Sequence, residues 1–242
     1  MADEVEIALA SGGPLRAVVA RPAPSGPRPG VVVIHEVFGD QPEIRAVCDE
    51  FAGRGYVAVM PDLFSAGGPR VVCVARAVAE SASGKPGRIT GYIEATREWL
   101  AQQEDVAGAR LGVIGFCMGG AFALAYVGAG RSGVRVASVN YGDVPKHAER
   151  LRGACPIVAS YGRRDLILGR RRPQLLHQHL EQLGIDHDVK VYDEAGHGFM
   201  TEGQHPVGRL VFLPMRYGYA AEAALDAWQR VFAFFDARLQ LA

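Results

Sequence analysis

A thiol stands between glycines at Gly115-Phe116-Cys117-Met118-Gly119-Gly120. The apolar stretch Leu111–Phe116 before it reads as a buried strand, and Met118–Val127 after it as a helix. A sharp strand-to-helix turn holds its nucleophile in a strained backbone conformation, so the residues two before and two after must be small. Gly115 and Gly119 occupy those places. A thiol there also sits at a helix N-terminus, whose free N–H groups and dipole favour a thiolate. The alternative is a structural cysteine between glycines that let strand and helix pack closely. Further along, Asp165 follows the strand Pro156–Tyr161, and His197 follows the strand Val189–Tyr192 within Glu194-Ala195-Gly196-His197-Gly198-Phe199. Nucleophile, acid and histidine in that order, each about one strand–helix unit from the next, can leave a parallel sheet at the same edge. The chemistry of such a set is acyl transfer: the thiol attacks a carbonyl, the histidine moves the proton, and the aspartate orients the histidine.

A second loop supports this reading. His35-Glu36-Val37-Phe38-Gly39 lies between a strand and the first long helix, where an elbow enzyme completes its oxyanion hole. One N–H would come from Met118, after the nucleophile, and the other from Val37. Glu36 would then point at the thiol, where a carboxylate disfavours a thiolate or accepts the S–H proton; otherwise it is a helix-entry acid. Phe38, Tyr141 and Met200 are candidates to line the pocket, although aromatic and methionine residues more commonly serve the core.

These residues need a frame that brings them together. Val5–Leu9 and Leu15–Arg21 read as a hairpin around Ser11-Gly12-Gly13-Pro14, and Val31–His35 as a buried strand of the parallel type. Asp40, with Glu43 three residues on, predicts a capping box that opens a helix to Arg54. Tyr56–Met60 is a strand ended by Pro61, Leu63–Arg88 a lid, and Ile89–Ala107 a long amphipathic helix. Val134–Tyr141 is a strand, Pro173–Leu183 a helix, and Ala221–Leu239 the closing helix. Alternating strands and helices predict one α/β domain spanning residues 1–242. Its mostly parallel twisted sheet has about eight strands, with helices on both faces and ligands at the strands' carboxyl ends.

Composition narrows the function classes. Lys plus Arg and Asp plus Glu each total 26 in 242 residues, so the balanced charge lacks the basic footprint of a nucleic-acid binder. No apolar run approaches the roughly 20 residues that span a bilayer, and Met1–Ala10 is acidic without a signal-peptide core. The expectation is a soluble cytoplasmic protein with no membrane association. Cys48, Cys73, Cys117 and Cys155 lack CxxC spacing and read as reduced thiols. Gly128-Ala129-Gly130-Arg131-Ser132-Gly133 fits GxGxxG but follows a helix, the reverse of a dinucleotide loop. His35-Glu36 lacks the second histidine of a zinc helix, and His177 and His179 point to different sides of theirs. No cofactor and no metal is expected. Arg170-Arg171-Arg172 reads as a solvated face.

The loop His35–Gly39, the elbow Gly115–Gly120 and the ending Glu194–Phe199 together resemble the dienelactone hydrolase family, over roughly residues 30–200. The resemblance implies an α/β-hydrolase fold, a triad of Cys117, Asp165 and His197, and a glutamate, Glu36, that holds the thiol until substrate arrives. It also implies ring opening of dienelactones, whose carboxylate is bound by arginines, one of them four residues after the catalytic histidine. Thr201 stands there, so Arg209 or Arg216 in the second lid segment 203–219 would have to replace it, while a second arginine would come from the first lid segment, which holds Arg70, Arg76 and Arg88. The expected substrate is a small activated ester or lactone, handled by a monomer or homodimer. A general carboxylesterase or thioesterase is the alternative enzyme. A lactone-binding or thiol-sensing scaffold is the alternative without catalysis.

Overall fold

The run Val31-Val32-Val33-Ile34 has no polar face, so it can lie only where both sides of a sheet are covered. In the computed structural model, which describes residues 3–23, 26–130, 133–202 and 213–239, it forms part of β3 (Arg28–Ile34), an interior strand. The chain runs β1 (Asp3–Ala8), β2 (Pro14–Ala20), β3, α1 (Pro42–Gly53), β4 (Val57–Pro61), α2 (Arg70–Ser83), α3 (Arg88–Ala101) and β5 (Val106–Phe116). It continues through α4 (Met118–Val127), β6 (Val136–Asn140), β7 (Ile157–Gly162), α5 (Arg172–Leu183), β8 (His187–Tyr192) and α6 (Ala221–Leu239). The strands form one eight-stranded sheet in the order β1-β2-β4-β3-β5-β6-β7-β8. β1 and β2 pair antiparallel, as do β2 and β4, and every later pairing is parallel.

Two apolar layers sandwich the sheet. Ile93, Leu100, Phe122, Leu124, Leu176 and Leu180 carry α3, α4 and α5 onto one face. Ile44, Val47, Phe51, Val231, Phe232 and Phe235 carry α1 and α6 onto the other. The chain leaves β3 toward β4 on one side and returns through β5 on the other. The carboxyl ends of β3 and β5 therefore open a crevice where the strand order reverses, the usual ligand position in such sheets.

The structure corrects two local expectations. Asp40 caps no helix: α1 begins after Gln41, and the Asp40 carboxylate is held by Arg45 at 2.7 and 2.6 Å instead. The helix expected to reach Ala107 stops at Ala101, because Arg28 N–H bonds the Asp105 carbonyl and Val106 pairs with β3, recruiting this stretch into β5. Segment 63–88 contains α2, whose Cys73 and Ala77 join the core. Within 203–219, residues 203–212, including Arg209, lie outside the described residues, and Leu213–Met215 form a 3-10 turn. Among the described residues, no helix is long and apolar enough to cross a membrane.

Candidate active site

The turn after β5 is as tight as its glycines imply. Cys117 has φ 55° and ψ −118° and sits between the last residue of β5 and the first of α4. Its N–H donates to the Asn140 carbonyl at 3.0 Å, tying the elbow to β6. A Cβ on Gly115 would stand 2.1 Å from the Gly119 carbonyl oxygen, and one on Gly119 2.3 Å from that of Ile34. Both neighbours are backbone and cannot swing aside. Met118 is the first residue of α4, so its N–H has no acceptor within the helix. Val37 packs half-buried against the same core layer as Cys117. It lies in a turn closed by Gly39 N–H to the Glu36 carbonyl at 3.0 Å, with Gly39 at φ 82°.

Asp165 is fully buried and its carboxylate is used at both oxygens. Oδ1 accepts from the N–H groups of Ile167 (2.9 Å) and Leu168 (3.0 Å), and Oδ2 lies 2.8 Å from His197 Nδ1. That arrangement assigns the Nδ1 proton to the aspartate side and turns Nε2 toward Cys117, with which the imidazole interacts through charge. Burial works against the imidazolium, but the Cys117 sulfur and the Asp165 carboxylate outweigh it and push His197 up to about 10. The His197 backbone is clamped as well: its N–H donates to the Met215 carbonyl (2.8 Å), and its carbonyl accepts from Gly218 N–H (3.0 Å).

Glu36 is 4 % exposed. Its Oε2 accepts a hydrogen bond from the Tyr217 hydroxyl at 3.0 Å, and Oε1 is buried without a hydrogen-bond partner. Burial pushes this carboxyl up from the usual range, against the opposing pull of His197 and of the phenols of Tyr217 and Tyr141. His35 fixes the loop that carries it. His35 Nε2 accepts from Leu63 N–H (3.0 Å), so Nδ1 bears the proton and donates to the Glu36 carbonyl at 2.7 Å. Burial holds that imidazole below its ordinary pKa, as this structural role requires.

The three candidate lining residues and Thr201 divide. Tyr141, at φ 44°, packs edge-on to His197 with ring centroids 4.9 Å apart. Thr201 is buried beside Tyr141, and Phe38 stands 6.2 Å from the Tyr217 ring. Met200 belongs to the core, and its carbonyl accepts the Trp228 indole N–H at 3.0 Å. The arginines of segment 63–88 are partly committed: Arg70 donates to the Phe38 carbonyl (3.2 Å) and pairs with Asp62 (3.6 Å), and the Arg88 side chain lies against Gly67. Arg216 adopts φ 49°, and its carbonyl abuts Gly196.

The residue that sequence reasoning left without a role is Tyr217. It lies 181 positions from Glu36, and no spacing rule links the two. The nearest local signal was Gly198, at φ 67°, where a Cβ would meet the Tyr217 ring at 2.5 Å. The other cysteines are free and take no part: Cys48 and Cys73 are buried, and burial pushes the half-buried Cys155 thiol up to about 12. No group of three or more His, Cys, Asp or Glu side chains among the described residues is arranged to hold a metal.

A family model described as the dienelactone hydrolase family matches residues 15–239. A Synechocystis sp. protein named "Putative carboxymethylenebutenolidase" is 28% identical, over 92% of this chain and 91% of its own length. The crystal structure of a "Putative Dienelactone Hydrolase" from Klebsiella pneumoniae superimposes with a TM-score of 0.80 at 25% identity, covering 97% of this chain and 98% of that one. Pyrococcus horikoshii acylaminoacyl peptidase shares the fold alone, with a TM-score of 0.72 at 12% identity over 100% of this chain and 42% of the peptidase. The sheet and its helices thus have the α/β-hydrolase architecture.

Proposed function

The chain belongs to the dienelactone hydrolase family, and we propose that it hydrolyses activated esters or lactones with Cys117 as nucleophile, through a thioester acyl-enzyme. The observation that carries this reading is the buried line from Asp165 Oδ2 to His197 Nδ1 at 2.8 Å, with the far side of the imidazole turned to the thiol on the elbow. With the thiol proton carried on His197, as its raised pKa favours, sulfur bonds to the substrate carbonyl carbon, and the N–H groups of Met118 and Val37 receive the oxyanion. Collapse of that intermediate breaks the acyl–oxygen bond, and the leaving oxygen collects the proton from His197. Water, deprotonated by His197, then cleaves the thioester and regenerates the thiol.

The leaving group follows from the nucleophile. A thiolate leaves a tetrahedral intermediate readily, so an ordinary alkoxide loses the competition, whereas an enolate or phenolate wins it. Thr201, beside Tyr141, supplies a neutral hydroxyl where the dienelactone-cleaving pattern has an arginine, which favours neutral acyl groups over carboxylated ones. Segments 63–88 and 203–219 would set access, since Arg70 of the first is fastened to the Glu36–Gly39 turn and the described end of the second to the His197 loop.

The test is hydrolysis of p-nitrophenyl acetate and of cis- and trans-dienelactone by the wild type and Cys117→Ala, with iodoacetamide labelling alongside. The expected result is turnover that falls at least about 10³-fold in the variant, with p-nitrophenyl acetate preferred and the label on Cys117. Turnover retained by Cys117→Ala would discard the nucleophile. A wild type that neither turns over any of these substrates nor is alkylated at Cys117 would favour a binding scaffold.

A further inference from the structure

We propose that Tyr217 is a positioning residue for Glu36: its hydroxyl pins Oε2, so that Oε1 is presented, buried and unpaired, beside His197 and Tyr141. The proposal deepens the hydrolase reading and rests on it for its catalytic meaning, but the contact itself is a matter of geometry. Glu36 Oε2 and the Tyr217 hydroxyl are 3.0 Å apart within the protein interior. Oε1 has no hydrogen-bond partner, and the Tyr141 hydroxyl nearby is likewise buried without one. A carboxyl group with one oxygen clamped and the other bare has a defined direction; without the clamp it rotates about its terminal torsion, which is broad and nearly two-fold. A buried oxygen left without a donor is also costly unless something that arrives later uses it.

The structure around Tyr217 is built for placement. Leu213–Met215 turns the chain, and Arg216 enters the left-handed region at φ 49°. Hydrogen bonds on both sides, from His197 N–H to Met215 and from Gly218 N–H to His197, then lock Tyr217 to the loop that carries the imidazole. Gly196 and Gly198 are the complementary surface: a Cβ on the first would stand 1.9 Å from the Arg216 carbonyl oxygen, and one on the second 2.5 Å from the Tyr217 ring. The Gly-His-Gly sequence is thereby explained by the segment that lies on it. Histidine and glutamate are held in register through one short piece of chain, and Tyr217 is the link between them.

The ionic consequence has a definite sign. A hydroxyl donating to a carboxylate favours the ionised form, so removing it must raise the pH at which Glu36 loses its proton. The experiment is an infrared difference titration of the Glu36 carboxyl stretch, identified by its disappearance in Glu36→Gln, in the wild type and in Tyr217→Phe. A parallel pH profile of kcat/KM for p-nitrophenyl acetate is recorded for the wild type, both single variants and the double variant. The Glu36 midpoint should move up by about one pH unit in Tyr217→Phe, and the kcat/KM profile should change in the Glu36 background but not in the Glu36→Gln background. An unchanged Glu36 midpoint, or a profile change of equal size in both backgrounds, would overturn the proposal. Failure of the hydrolase reading looks different: the wild type itself would lack Cys117-dependent turnover, while the infrared titration would still report on Tyr217.

Discussion

At the scale of single residues, the site is a contest between burial and charge. Burial opposes the His197 imidazolium, Cys117 and Asp165 support it, and the support prevails, placing the folded value at about 10 against an ordinary 6.5. The direction fixes a pH dependence. A folded-state pKa raised above the unfolded one contributes stability that is complete below about 6.5, declines above it, and is gone once pH passes about 10. Urea unfolding at a series of pH values should therefore show a loss across that window in the wild type. Cys117→Ala, which removes a leading supporting charge, should show a shallower loss over the same range, and equal slopes would refute the assignment. The candidate triad could be read from the sequence because each member carries a local mark: glycines around Cys117, a strand end before Asp165 and before His197. Tyr217 could not, since its partner is 181 positions away and the contact exists only once the fold is made.

At the scale of elements, two glycines of similar appearance have opposite duties. Gly119, in the first turn of α4, faces the end of β3, and a methyl group there would approach the carbonyl oxygens of Ile34 and His35 to 2.3 and 2.7 Å. Neither can yield without moving β3 or the loop that carries Glu36. Gly91, exposed in α3, has nothing within 4 Å of its would-be Cβ. Gly119→Ala should cost at least about 2 kcal/mol through overpacking, a fall in melting temperature of roughly 5 °C or more. Gly91→Ala should instead stabilise by about 0.5–1 kcal/mol, the helix-propensity difference. Thermal melts of the two variants decide it, and a destabilised Gly91→Ala would contradict the open space. The same distinction explains which elements were legible. Met118–Val127 and Ala221–Leu239 are found where the sequence expects them, because a glycine turn starts the first and a sustained apolar period defines the second. The end of α3 was misplaced because local propensity carries no information about Arg28, whose pairing with Asp105 and Val106 draws that stretch into the sheet.

At the scale of the whole molecule, the sheet separates what stabilises from what reacts. The candidate triad, Glu36 and Tyr217 gather at the carboxyl ends of the strands, while α6 covers one face of the sheet. Phe235 lies fully buried at the centre of that cover, 5.7 Å from the Phe51 ring centroid, and a Cβ on Gly112 of β5 would meet its ring at 2.8 Å. Gly112 is five residues before Cys117 on the same stretch of chain, which at about 3.3 Å per residue places the two ends of this stretch roughly 16 Å apart. Truncating Phe235 removes a large aromatic from a layer that cannot fully collapse, at a cost of about 3–5 kcal/mol, against a total stability of about 5–15 kcal/mol for a domain. Phe235→Ala should therefore melt roughly 10 °C lower, yet keep kcat/KM for p-nitrophenyl acetate at 25 °C within about twofold, since the hydrogen bonds that orient Asp165, His197 and Glu36 come from residues outside α6. Activity measured well below the melting transition, together with the melting curve itself, separates the two quantities. A loss of kcat/KM in step with the loss of stability would mean that the elbow strand transmits strain from α6 to Cys117, and that the sheet is not the rigid divider its burial on both faces implies.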